Sequence, residues 1–186
     1  MLLVNSIKYF LGLAAISFLL SSCGPTLSPF TQQLYEENDW SMNELKRIQF
    51  YLGKDIVLYR ELTGGKSEII QGEIKIVDGR KREQITFERG TPGVFLFSPK
   101  NDRFAVSFED GGEDRYLIFG PNPNAGNRYV LLASDWNRRQ GVVSYAGQKW
   151  TVDSDAAYSA LMVDLERLQR TDVNSRVATG RRVGTN

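Results

Sequence analysis

Val142-Val143-Ser144-Tyr145-Ala146-Gly147-Gln148-Lys149-Trp150-Thr151-Val152 is the stretch on which the fold turns. Two short runs rich in β-branched and aromatic residues, 142–145 and 149–152, flank the pair Ala146-Gly147. Such runs fit a half-buried pleated surface, and a glycine at the centre supplies the positive φ of a tight reversal. The same grammar repeats on the N-terminal side. Ile56 and Leu58 alternate, and Ile70, Ile74 and Ile76 share a face broken by Gly72. Asp78-Gly79 gives a hairpin signal before a strand over 84–87. Further strands read at 94–97, 104–108, 116–119 and 129–133. Their separators are Gly90-Thr91-Pro92-Gly93, Asp110-Gly111-Gly112-Glu113 and the polar stretch 120–127. Closely spaced short strands with turn residues between them predict a mainly β domain, an antiparallel sandwich or barrel of about 8–10 short strands.

A short N-terminal helix precedes the strands. Ser41 with Glu44 three residues later is a capping box, and Trp40 with Leu45 has the spacing of a hydrophobic staple. Beyond Leu45 two readings stay open. Leu45, Ile48 and Leu52 continue a helical stripe, whereas Ile48, Phe50 and Leu52 alternate as a strand does. The segment 158–168 is equally double: Tyr158, Leu161, Met162, Leu165 and Leu168 suit a helix, and Leu161, Val163 and Leu165 suit a strand.

The first 23 residues carry an address. Asn5, Ser6 and Lys8 open a polar stretch, an apolar run follows from Phe10 to Leu20, and Ser21-Ser22 precede Cys23, the only cysteine in 186 residues. That layout is a secretory signal peptide; the run is too short for the roughly 20 apolar residues of a membrane-spanning helix. Leu20-Ser21-Ser22-Cys23 resembles the lipobox of the bacterial lipoprotein class at all four positions. The resemblance implies a diacylglycerol on the Cys23 thiol, cleavage before it, and an anchor in the membrane. Gly24, rather than aspartate, follows Cys23, which by the enterobacterial sorting pattern implies the outer membrane. No acidic patch, the surface-export mark of Bacteroidota lipoproteins, occurs before Glu36, so the periplasm-facing leaflet is expected.

The expected organisation is a signal peptide over 1–22, a lipidated tether over 23–38, one β-rich domain over 39–168 and a basic tail over 169–186. Gly24 to Thr31 contains two prolines and no charge, which reads as extended chain. In the tail Arg170, Arg176, Arg181 and Arg182 face Asp172 alone, too little apolar content to order itself.

Composition removes whole classes of chemistry. Without Lys8 the chain has 22 basic and 22 acidic residues, a balance that argues against nucleic acid as a partner. There is no histidine, which excludes Ser-His, Cys-His and His-ligated metal schemes. No phosphate-binding glycine loop occurs, and no cofactor or metal site is assigned. Glu109-Asp110-Gly111-Gly112-Glu113-Asp114 is the densest acidic cluster, read as a solvated hairpin turn in preference to a calcium site. Trp136-Asn137-Arg138-Arg139 sets an aromatic beside two cations, the residue types of binding hot spots, so Trp136, Arg138 and Arg139 are the candidate ligand or partner contacts. The competing reading folds Trp136 onto the core and leaves both arginines in solvent. Trp150 reads as core, and Pro121–Gly126 as a polar loop that selects no ligand.

The expected protein is therefore a lipid-anchored, non-enzymatic binding or assembly subunit of the bacterial cell envelope, with the membrane and an envelope protein as partners. The alternative is an envelope lipoprotein that binds or cleaves glycan through Trp136 or paired carboxylates.

Overall fold

The computed structural model describes residues 26–62, 72–77, 80–112, 114–137 and 139–171. The expected signal peptide, Cys23, Ile70, Asp78-Gly79, Glu113, Arg138 and the residues after Thr171 lie outside the described residues. Numbered along the chain, the strands are β1 (Leu27–Pro29), β2 (Gln49–Leu52), β3 (Ile56–Glu61), β4 (Glu73–Val77), β5 (Arg80–Phe87), β6 (Pro92–Lys100) and β7 (Arg103–Ser107). They continue as β8 (Leu117–Asn122), β9 (Arg128–Leu131), β10 (Ser134–Asn137), β11 (Gln140–Tyr145), β12 (Gln148–Asp153) and β13 (Leu161–Asp164). Three short helices accompany them: α1 (Gln32–Asn38), α2 (Met42–Leu45) and α3 (Leu165–Thr171).

All pairings among these strands are antiparallel and build two sheets. One has seven strands in the order β1-β13-β2-β6-β7-β8-β9, the other six in the order β10-β11-β12-β3-β5-β4. The mainly β expectation holds, and the sandwich is the form it takes. The first sheet nonetheless curls far round. Isolated bridges tie Thr31 to Arg128 and Val130 to Ala160, bringing β9 back to the chain that leads out of β1 and into β13. The ladder there is not continuous, so the sheet does not close into a barrel. More strands form than the expected 8–10 because three- and four-residue pieces such as β1 and β13 find partners distant in sequence, and β10 forms a short edge beside β11.

The hairpin that opened the sequence reading is formed as read. Tyr145 pairs with Gln148, leaving Ala146 and Gly147 as the two-residue turn, and both have positive φ (49° and 69°). That is the mirror-image turn whose twist matches the flanking strands. Trp150 on β12 is buried, and its indole N–H donates to the Tyr145 carbonyl at 3.0 Å.

The capping box is also present. The Ser41 hydroxyl accepts from the Glu44 N–H (3.4 Å) and the Glu44 carboxylate accepts from the Ser41 N–H (2.8 Å). The helix it starts ends at Leu45, and the strand reading of 48–52 prevails, with Phe50 and Leu52 turned into the core. Both readings of 158–168 are realised in turn: Leu161–Asp164 is strand β13, and helix begins at Leu165.

The tether expectation needs correction from Leu27 onward. β1 pairs with β13, and α1 is capped by the Thr31 side chain, which accepts from the Leu34 N–H at 3.1 Å. Phe30 between them is completely buried among Tyr35, Trp40, Phe50, Phe104 and Tyr129. Pro29 does lie in extended chain, as read, but that chain is used as an edge strand, where a missing N–H costs no ladder bond. The helix α3 likewise runs past Leu168 to Thr171.

Candidate functional site

The β6–β7 hairpin builds the most distinctive surface. Strict alternation would turn Phe97 into the core beside Phe95, since residues two apart share a face. The register prevents this. Phe95 pairs with Val106 and Phe97 with Ala105, so Leu96 is an extra residue on β6. A bulge of this kind re-aims the side chain that follows it. Phe95 stays buried, while Phe97 is 40% exposed and Val94, three residues earlier, is 48% exposed.

The segment from Phe108 to Tyr116, between β7 and β8, folds beside these side chains. The Tyr116 ring meets Phe97 edge-on at 5.1 Å. The segment is pinned at several points. The Tyr145 hydroxyl donates to the Glu109 carboxylate, and Arg115 reaches the same oxygen at 3.4 Å. The Ala146 N–H donates to the Asp114 carbonyl at 3.0 Å, and the Ser107 hydroxyl to the Glu109 carbonyl at 3.0 Å. Burial, and then the Glu109 hydrogen bond and charge, push the Tyr145 phenol well above its ordinary pKa, so it stays a donor to that carboxylate. The acidic stretch is thus held by specific partners through Glu109, and is more than the freely solvated turn expected for it. Among the described residues no group of three or more Asp, Glu, His or Cys side chains is arranged to hold a metal ion.

Two troughs result, and Tyr116 stands between them, lining both. The first, with a cavity volume of about 860 Å³, has Val94, Phe97 and Tyr116 as its apolar part and Glu109, Asp110 and Asp114 against Lys46 at its rim. The second, about 730 Å³, runs over Ile118 and Val142 and carries Lys100 and Arg103. Asp110, Asp114, Lys100 and Arg103 are all exposed.

The residues singled out from sequence sit elsewhere. Trp136 is on β10, the edge strand of the second sheet, and is 40% exposed. Its indole lies against Gly141, where an added Cβ would come within 2.8 Å of the ring. It is neither folded into the core nor free of the surface. Arg139 is exposed, and its carbonyl accepts from the Ser154 N–H at 2.7 Å. Trp136 and Arg139 line neither trough; of β10 only Ser134 reaches the second. Pro121–Gly126 is occupied by the end of β8 and a 3-10 turn, Pro123–Ala125, capped by the Asn122 side chain.

Sequence reading missed a second polar cluster. Glu83 on β5 is completely buried, with Arg60 of β3 at 2.6 Å and the Gly72 N–H donating at 3.1 Å. The Arg60 guanidinium also lies 5.1 Å over the Trp150 ring. A signal was available: Glu83 shares parity with Ile85 and Phe87, and Arg60 with Ile56 and Leu58, so two opposite charges stand at core-facing positions. The pair closes the core and opens onto neither trough.

No family model, characterised protein or solved structure matches the chain.

Proposed function

We propose that the protein is a lipid-anchored, non-enzymatic subunit of the bacterial cell envelope that docks a protein through the Val94–Phe97–Tyr116 surface. The observation that carries this reading is the bulge at Leu96, which turns a phenylalanine out of the core and into an exposed trough. An isolated exposed apolar residue is ordinary, but aromatic side chains clustered within a charged rim have the composition of a protein interface. The lipobox ending at Cys23 supports anchoring, and Gly24 supports delivery to the periplasmic leaflet of the outer membrane. A lipid anchor needs more than one acyl chain for stable attachment, which the lipoprotein pattern of modification supplies.

Two measurements test it. Replacing Cys23 by serine should abolish lipid labelling and leave the leader uncleaved; normal processing with unchanged membrane attachment would remove the anchoring half. A photo-reactive phenylalanine analogue at position 97, in the lipidated protein in its own membranes, should cross-link to a discrete protein partner. Absence of any protein adduct would remove the docking half.

A second reading, glycan binding, has one observation in its favour, the exposed indole of Trp136 on an edge strand. Retention on peptidoglycan or polysaccharide, lost on Trp136→Ala and kept on Phe97→Ser, would favour it.

A further inference from the structure

We infer that the partner of this surface is a second copy of the same chain, joined about a two-fold axis through Phe97 and Tyr116. The inference rests on the docking reading above and adds the identity of the occupant. Its ground is the order of charges along one hairpin. At the tip of β6–β7, Lys100 pairs with Arg103, placing two exposed cations side by side. In the middle lies Phe97, pointing outward beside Tyr116. At the far end Val94 pairs with Ser107, and the chain passes directly into Glu109, Asp110 and Asp114. Lys100 lies three positions along the strand from Phe97, roughly 10 Å.

A two-fold interface uses one patch twice, so residue i of one copy meets residue j of the other and the reverse. A patch with an apolar centre, cations at one end and carboxylates at the other is complementary to itself under that rotation. Apolar centre meets apolar centre, and Lys100 and Arg103 of each copy face Asp110 and Asp114 of the other. Lys46 stands at the acidic end and opposes the pairing there, and Arg115 offsets Glu109, but Asp110 and Asp114 together still leave that end net negative. Glu109 is already engaged by Tyr145 and Arg115, which leaves the inter-copy role to Asp110 and Asp114. A partner uniform in charge would meet one end favourably and be repelled by the other.

The test uses the full lipidated chain in membranes, co-expressed in two differently tagged forms with the photo-reactive analogue at position 97. A cross-linked species bearing both tags is expected, weakening as salt is raised. Lys100→Glu with Arg103→Glu should lower its yield at least about tenfold, as should Asp110→Lys with Asp114→Lys, if the charges set the pairing. Co-expressing the two reversed chains should restore a mixed-tag species, because each reversed end then meets its opposite. The rescue also shows that both variants fold. Cross-links to a different protein without mixed-tag species would overturn the inference and leave the proposed function standing. Absence of any adduct would overturn both. Mixed-tag species indifferent to both reversals would overturn the charge-matched geometry.

Discussion

Replacing Phe30 by alanine separates two pictures of the N-terminal segment. In the structure the ring is wholly buried, with five aromatic neighbours at centroid separations of 5.0 to 6.4 Å. Its backbone is committed as well: its N–H donates to the Leu161 carbonyl at 2.8 Å, and its carbonyl accepts from the Tyr129 N–H at 3.0 Å. Alanine keeps those backbone bonds and removes the ring, so the change isolates packing. Truncating a buried phenylalanine costs about 3–5 kcal/mol, transfer and cavity together. For a domain of this size each kcal/mol moves Tm by about 2–4 °C, so a fall of roughly 6–20 °C is expected. A residue in a solvated tether would change stability by less than about 0.5 kcal/mol. Urea unfolding of the chain from Gly24 onward, followed by tryptophan fluorescence, measures it directly. Trp40 stacks on Phe30 at 5.9 Å and reports the same site. A shift in midpoint worth less than about 1 kcal/mol, with unchanged slope, would refute the packing of this segment.

Three further outcomes are expected. Glu83→Ala should cost about 3 kcal/mol, the lower part of the range for breaking a buried pair, since Arg60 keeps some access to water; the double change Arg60→Met with Glu83→Leu should recover most of it, and a double variant as unstable as the single would count against the pair. The Tyr59 phenol is pushed up to about 12 by burial and by donating to Asp153, so its proton is held by the folded chain after the unfolded chain has lost it near 10. That stability contribution is complete below pH 10 and is lost as pH rises toward 12; Tyr59→Phe should flatten this alkaline fall in urea midpoints, and an unchanged slope would contradict the assignment. Ala146→Asn should stabilise by up to about 1 kcal/mol, because a φ of 49° is costly for alanine and tolerated by asparagine; a measured loss would show that the alanine methyl contributes more by packing.

The parts of the fold legible in the chain were those fixed by neighbours in sequence. The Ala146-Gly147 reversal and the Ser41–Glu44 box rest on interactions across two or three residues, and both are present as read. What escaped depends on distant partners. Nothing near Leu27–Pro29 says that an edge at Leu161–Asp164 awaits it, and Phe30 reads as a lone aromatic until that pairing is formed. The candidate site was hidden for a different reason. Val94, Phe95, Leu96 and Phe97 give a continuous apolar run, and parity alone assigns Phe97 to the core. Only the pairing with β7 shows that one residue is surplus and that the last ring faces out. The tryptophan-arginine stretch drew attention by residue type, yet its geometry was set by the absence of a side chain at Gly141, which admits the indole flat against the edge.

The pairing of Leu27 with Asp164 has a consequence for how the molecule would stand on a bilayer. Leu27 follows Cys23 by four positions, and four residues cannot span more than roughly 14 Å. An acylated Cys23 would therefore keep Leu27, and with it the β1–β13 edge, close to the headgroups. Every copy would be confined to the same shallow layer. Encounters between copies would then be a search in two dimensions, and the only two-fold axes open to them would run along the membrane normal.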